Sequence, residues 1–358
     1  MKDAKSLEGT VMHYFSLLPL QHNTLFLFGT LLLLGLVGGQ LAKKTRILPV
    51  ISGYMAIGFL MGPQAFNLIT QQALNSTQIF VDISLGLILF DLGRHLDFSW
   101  LKHDLSLLYM SLAEALLSLL LVYFALHSVF RLDAIPSLLA GIIAIATSPA
   151  VVMMVANDLS AKGPVTKRAL MLTSLNNFIA LILFTIFLPL SKSTINSIPT
   201  FIFYSAYRLF GSLILGLIML SITMLIGWLI GKHKENQFIM FVGAAILTIG
   251  SAYVLNLSIM LSLFILGAAA RNLDHRHLLM EFDFGWLARI FFILLFATIG
   301  MRLHFSGIKP IIWAVLAFLA ARMLGKLIGV LIFAKRSRIT YKQALAIGMS
   351  LFPMAGVA

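Results

Sequence analysis

Apolar residues occupy this chain in long, nearly unbroken blocks, without the alternation of a half-buried strand or the narrow stripe of a surface helix. About 20 apolar residues in helical form cross the ~30 Å hydrocarbon core of a bilayer. The blocks predict spans near 23–42, 47–62, 78–94, 104–128, 135–157 and 166–189. A second group follows near 199–231, 236–255, 257–271, 282–301, 307–334 and 342–358. Turn signals such as Gly62-Pro63, Ile135-Pro136, Gly163-Pro164 and Lys309-Pro310 separate or open them. The pattern predicts an all-α polytopic membrane protein. Residues 1–22 read as an extracytoplasmic, interfacial segment, because Lys2, Asp3, Lys5 and Glu8 alternate there with Phe15 and Leu17.

Composition agrees, at 60% hydrophobic and 11% charged residues with a mean hydropathy of +0.98. A soluble surface needs roughly a quarter of the residues charged. The net charge of +13 does not point to nucleic acid, since the basic residues sit in short connections instead of one patch. With the N-terminus outside, Lys43, Lys44, Arg46, Lys335, Arg336 and Arg338 all fall on the cytoplasmic side of an inner (plasma) membrane. The absence of cysteine excludes disulfides, thiolate metal sites and thiol nucleophiles. No metal-ligand or nucleophile motif is present, so neither a metal, a cofactor nor an enzymatic reaction is expected. The last apolar run stops at Ala358 in mid-span, which would leave carbonyls unsatisfied in lipid. The expectation is a fragment, or a chain lacking its final helix.

Two interruptions draw attention. Ala146-Thr147-Ser148-Pro149-Ala150 lies inside the fifth span, and Ser350-Leu351-Phe352-Pro353 lies in the twelfth. Proline removes a backbone donor and clashes with the preceding turn. Each alone is satisfied by a simple kink. Matched breaks in two halves instead point to an inverted repeat with a site between the broken helices. That gives a first repeat at 23–189, a linker helix at 190–235 and an incomplete second repeat at 236–358.

Polar residues inside the spans supply candidate chemistry. Asn176 and Asn177, with Thr173 one turn earlier, either join helices or line an ion path. Lys326 lies about ten residues, or ~15 Å, before the basic cluster at Lys335, too deep for easy snorkelling. Gly325 and Gly329 flank it as a GxxxG pair that lets another helix come close. Arg322, one turn away, snorkels or pairs. Glu114 lies ten residues after Asp104 and so near mid-membrane, where a carboxylate is either a permanently paired group or a proton carrier.

With these residues in view, the chain resembles the Kef-type branch of the monovalent cation:proton antiporters from about residue 25 onward. Gly53-Tyr54, Gly58 and Gly62-Pro63 are similar to the family's second helix. Leu89-Phe90, Gly93 and Asp97 look like its next segment, and Thr147-Ser148-Pro149-Ala150-Val151-Val152 like its unwound crossing helix. Gly267 and Gly300-Met301 fit as well. The resemblance implies an inverted-repeat antiporter fold with broken crossing helices, of which twelve of thirteen spans are present and the last is truncated. It also implies a homodimer and alternating access. One departure stands out: where the family carries an Asp in the sixth span, this chain has Asn177, and an amide cannot exchange a proton near neutral pH.

The leading expectation is a secondary transporter exchanging sodium or potassium for protons. Thr147, Ser148, Asn176 and Asn177 would offer neutral oxygens to the ion, Lys326 would be the family's basic residue without its acidic partner, and Glu114 or Lys326 would carry the proton. Thr173, Arg322 and Ser350 are further candidates, and Pro149 and Pro353 mark the helix breaks. Two alternatives remain: a proton-uncoupled transporter or channel for a cation or small anion, and a non-transporting membrane sensor of the same fold.

Overall fold

The computed structural model describes residues 24–45, 48–69, 74, 78–148, 151–152, 156, 160–161, 163–191, 197–231, 233–274, 285–303 and 308–354. Among them are thirteen α-helices: α1 (Thr24–Thr45), α2 (Val50–Met61), α3 (Gln78–Arg94), α4 (Phe98–His103), α5 (Ser106–Phe124), α6 (Ala134–Ile145), α7 (Pro164–Phe187), α8 (Ile198–Ile230), α9 (Lys234–Val254), α10 (Ile259–Leu273), α11 (Gly285–Met301), α12 (Ile308–Ile332) and α13 (Tyr341–Ser350). A π-helical turn, Ala125–Val129, extends α5, and a 3-10 turn, Leu188–Ser191, extends α7. Six stretches are long and apolar enough to cross a membrane: Phe26–Thr45, Ser106–Val129, Pro164–Ser191, Ile198–Ile230, Glu235–Val254 and Ile312–Ile332. At 33 residues α8 is about 50 Å long, more than the hydrocarbon thickness of about 30 Å.

The surface differs from that of a water-soluble protein. Leu33, Leu229, Val254 and Trp313 are exposed, whereas Glu114, Asn176, Asn177, Arg322 and Lys326 are buried. Such a surface is stable only against lipid, with the polar groups satisfied inside. The chain is a polytopic membrane protein.

It forms two compact units. The first contains residues up to 85 together with 283–306. Leu27, Leu31, Met61, Leu294, Ala297 and Met301 form its apolar core. Glycines set the helix spacing there. A methyl group on Gly58 would overlap the backbone of Ala297, and one on Gly300 the backbone of Met55, so α2 and α11 touch main chain to main chain. A similar contact joins Gly38 of α1 to Gly53 of α2.

The second unit contains residues 86–282 and 307–358. Here Gly93 lies against Phe264 and Gly267 against Phe90, joining the end of α3 to α10. Local signals fix the helix ends. Pro164 opens α7 after Gly163, whose φ of +142° suits only glycine. Thr340 and Gln343 make a reciprocal capping box at the start of α13. The α3–α4 corner is held by Asn272, whose side chain donates to Leu96 O (2.6 Å) and accepts from Phe98 N (2.7 Å). Asp97 caps α4 through Ser99 N and Trp100 N and faces Arg271 at 3.6 Å.

Candidate functional site

α6 stops at Ile145, and Ala146 is already extended (φ −60°, ψ 143°). The cause lies downstream: Pro149 disfavours helical geometry at the residue before it and cannot donate to the turn behind it. Pro149 itself falls outside the described residues. Helix resumes at Val151, where Ser148 acts as its cap, accepting from Val151 N (3.4 Å, through Oγ) and Val152 N (3.2 Å, through the carbonyl). α13 stops at Ser350, and Phe352, Pro353 and Met354 are irregular. The first interruption expected from the sequence is present, and α13 ends where the second was expected, the residues after Met354 lying outside the described ones.

The two breaks meet. Ser148 N donates to Pro353 O (2.9 Å) and Thr147 Oγ1 to Leu351 O (3.3 Å). Two helices ending side by side in lipid expose a set of carbonyls without intrahelical donors. One turn of α12 satisfies them. Arg322 donates to Ala144 O (3.0 Å), Ala146 O (2.7 Å), Leu351 O (3.4 Å), Pro353 O (3.5 Å) and Phe352 O. Lys326 donates to Ile145 O (2.8 Å). The planar guanidinium fork suits this task, since it reaches both chains at once. Arg322 therefore does not snorkel: it is 1% exposed and tied to the breaks.

Lys326 also forms an ion pair with Glu114 of α5, both side chains fully buried. Sequence reasoning had Lys326 without an acidic partner and treated the two residues as separate candidates; α5 supplies the partner. The GxxxG pair makes the contact. A methyl on Gly329 would overlap the Glu114 backbone, and one on Gly325 would lie 2.6 Å from Ser118 Cα, so α12 and α5 cross at the distance that lets Lys326 reach Glu114.

α7 brings the two amides to the same place. Asn177 Nδ2 donates to Thr147 O (2.7 Å) and Thr173 O (2.8 Å). Two carbonyl acceptors fix the orientation of the amide, leaving Oδ1 buried without a protein partner. Asn176 Oδ1 accepts from Ser111 Oγ (2.9 Å), and its amide lies beside the Glu114 carboxyl and interacts with it. Thr173 contributes its carbonyl, its hydroxyl being bonded to Ala169 O (2.8 Å). Ser350 contributes nothing directly, because its hydroxyl turns back to Ile347 O (2.6 Å). Sequence reasoning missed Ser111, although it lies one turn before Glu114 on the same face. It also missed the carbonyls of residues 144–146 and 351–353, which no side-chain pattern reveals.

The electrostatics can be counted. Glu114 and Lys326 cancel. Arg322 adds one positive charge, but it sits at the C-terminal ends of α6 and α13, each equivalent to about −0.5 of a charge. These charges sum to nearly zero, and Asn177 Oδ1 is a buried oxygen beside them without a protein partner.

A match to the family described as "Sodium/hydrogen exchanger, transmembrane" extends over residues 28–358. The chain belongs to this family. Its fold is similar to that of the sodium proton antiporter MjNhaP1 from Methanocaldococcus jannaschii in a structure at pH 8, with a TM-score of 0.71, 19% identity, and coverage of 93% of this chain and 83% of that one. An electron-microscopy structure of the same antiporter gives a TM-score of 0.68 at 19% identity, covering 89% and 79% of the two chains. No curated protein matches the chain. Each glycine quoted for the resemblance at 53, 58, 93, 267 and 300 lies where two backbones touch.

Proposed function

We propose that this member of the exchanger family is a secondary antiporter that exchanges one monovalent cation for one proton, the proton being held by the Glu114–Lys326 pair instead of by an acid on α7. The observation that carries this reading is the buried ion pair beside Asn177, whose Oδ1 lacks a protein partner. In the cation-free state the pair is neutral. A dehydrated cation accepted by Asn177 Oδ1 and neighbouring oxygens adds a charge to a desolvated site. At one to two helical turns and an effective dielectric of about 20, its repulsion of the Lys326 ammonium is about 1.5–3 kcal/mol. Loss of the Lys326 proton leaves Glu114 as the counter-charge, and the site is neutral again. One cation in and one proton out keeps the buried charge constant, as a site that crosses the membrane by alternating access requires. Sodium or potassium, a Kef-type affiliation, a homodimer and an inner membrane with the N-terminus outside complete the proposal.

The test is reconstitution in liposomes with an internal pH dye, under an imposed proton gradient and with sodium or potassium added. The wild type is expected to move protons in response to one of the cations, and Glu114→Gln is expected not to. Proton movement unchanged in Glu114→Gln would remove the pair from the mechanism. Proton movement only after Asn177→Asp would mean that the native chain is uncoupled. A second reading, transport of a small anion, is favoured by the two buried cationic side chains against one carboxylate; flux driven by chloride and indifferent to sodium and potassium would select it.

A further inference from the structure

Six buried hydroxyls, of Thr173, Ser174, Ser212, Thr223, Thr248 and Ser262, each donate to a backbone carbonyl four residues back. Ser118 of α5 and Ser137 of α6 do not: both are fully buried, and their hydroxyls, like that of Ser337 in the turn after α12, have no protein partner. A buried polar group without a partner costs about 1–3 kcal/mol, and each of these serines has a helical carbonyl one turn away to turn to. Water is the partner that a polar, enclosed site of this kind holds.

The placement of the two is ordered. Ser118 is one turn beyond Glu114 on the same face of α5. α6 returns antiparallel beside α5: Ala115 packs with Ile145 and Ala146, and a methyl on Gly141 would lie 2.8 Å from Leu119 O. That pairing puts Ser137, one turn before Gly141 on the same face, level with Tyr123. Glu114 Oε2, Ser118 Oγ and Ser137 Oγ thus mark successive levels roughly 6 and 7–8 Å apart along the helices. Intervals of that length are ones that one or two hydrogen-bonded waters can span. The row leads away from Asp104 and toward the π-helical turn Ala125–Val129, a distortion that often accompanies a functional site.

We propose that Glu114, Ser118 and Ser137 line a hydrated passage through which the buried carboxylate exchanges protons with the membrane face at the π-turn end of α5. This deepens the antiport reading by giving the proton a route distinct from the cation site at Asn177, and it rests on that reading only for what the water carries.

The chain contains no cysteine, so single cysteines report without background. Ser118→Cys, Ser137→Cys and the dry control Ala252→Cys, each in the full chain in membrane vesicles of known sidedness, are treated with a small, membrane-impermeant methanethiosulfonate. Ala252 is fully buried on α9. The expected result is modification of both serine-position variants from the π-turn face, at least tenfold faster than the control, with Ser137→Cys the faster of the two. Rates equal to the control, or modification of Ser118→Cys from the Asp104 face alone, overturn the passage. In the transport assay Ser118→Val and Ser137→Val are expected to slow proton movement tenfold or more while cation binding at equilibrium is unchanged, and Ser118→Ala checks that the fold survives. Labelling does not require turnover, so fast labelling in a protein that moves no protons overturns antiport and keeps the passage. Slow labelling in an active antiporter does the reverse.

Discussion

Breaking the Glu114–Lys326 pair from either side leaves one unbalanced charge in a fully buried position. Removing one partner of a buried ion pair costs about 3–5 kcal/mol, whereas replacing both with uncharged groups of similar volume is close to neutral. Glu114→Gln keeps the shape of the carboxyl but leaves the Lys326 ammonium without a counter-charge, with only neutral oxygens, the amide's own and Ile145 O, as acceptors. Lys326→Met keeps most of the lysine stem and strands the carboxylate. Each single variant is expected to lower the unfolding midpoint in detergent by roughly 5–15 °C. The double variant, uncharged at both positions, is expected to recover most of the loss, giving a coupling energy of about 3 kcal/mol or more in the double-mutant cycle. All three variants should lose proton coupling, the double variant included. Fluorescence-detected thermal unfolding measures the first quantity, and proteoliposome pH-dye traces measure the second. Single variants within 1–2 °C of the wild type, or a double variant no more stable than the worse single one, would refute the pairing and with it the charge-exchange scheme.

Arg322→Lys keeps the charge but loses the fork, so the carbonyls of residues 144–146 and 351–353 cannot all be reached; transport should fall at least tenfold in a protein that still inserts, with Arg322→Gln more damaging. Gly329→Ala must push α12 off Glu114 and should cost about 1–3 kcal/mol, whereas Gly250→Ala, with open space around the added methyl, should leave the unfolding midpoint unchanged or slightly raised. Burial alone would raise the carboxyl pKa of Asp97, but hydrogen bonds from the Ser99 side chain and from the Trp100 and Ser99 backbone, with Arg271 nearby, outweigh it and hold the group below the ordinary value of 3.8. Its contribution is therefore fully present above that value and is lost as pH falls through the lower folded-state value. Asp97→Asn should accordingly be less stable than the wild type at neutral pH and converge with it in acid-unfolding curves at the lowest pH.

The legible parts of the site were those that break a local rule. Pro149 and Pro353 contradict the helices around them, and Glu114 and Lys326 contradict the hydrocarbon around them, so each could be picked out from the chain alone. Their pairing could not. The two are 212 positions apart, and the register that joins them is set where Gly325 and Gly329 meet Ser118 and Glu114. The sequence displays the GxxxG pair but not the helix that fills it. The role of Arg322 was hidden for a different reason: its acceptors are backbone carbonyls, exposed only because two helices end at the same depth. Any residue type could supply those carbonyls, so no side-chain pattern announces them.

The amide at Asn177 is where fold and chemistry separate most sharply. A carboxylate on α7 would let cation and proton compete for the same oxygens, with the amine of α12 as a spectator or counter-ion. With Asn177 that competition is gone, because the amide binds a cation without releasing a proton. Coupling then depends on charge conservation in a desolvated site, and such a site counts charge regardless of which atom holds it. Glu114 restores at α5 the negative charge that α7 lacks, and the close crossing at Gly329 keeps it within reach of Lys326. In the proposed scheme an acid on α5 instead of α7 would keep a one-for-one exchange while placing cation and proton on different groups, and the proton would take its own way to water past Ser118 and Ser137.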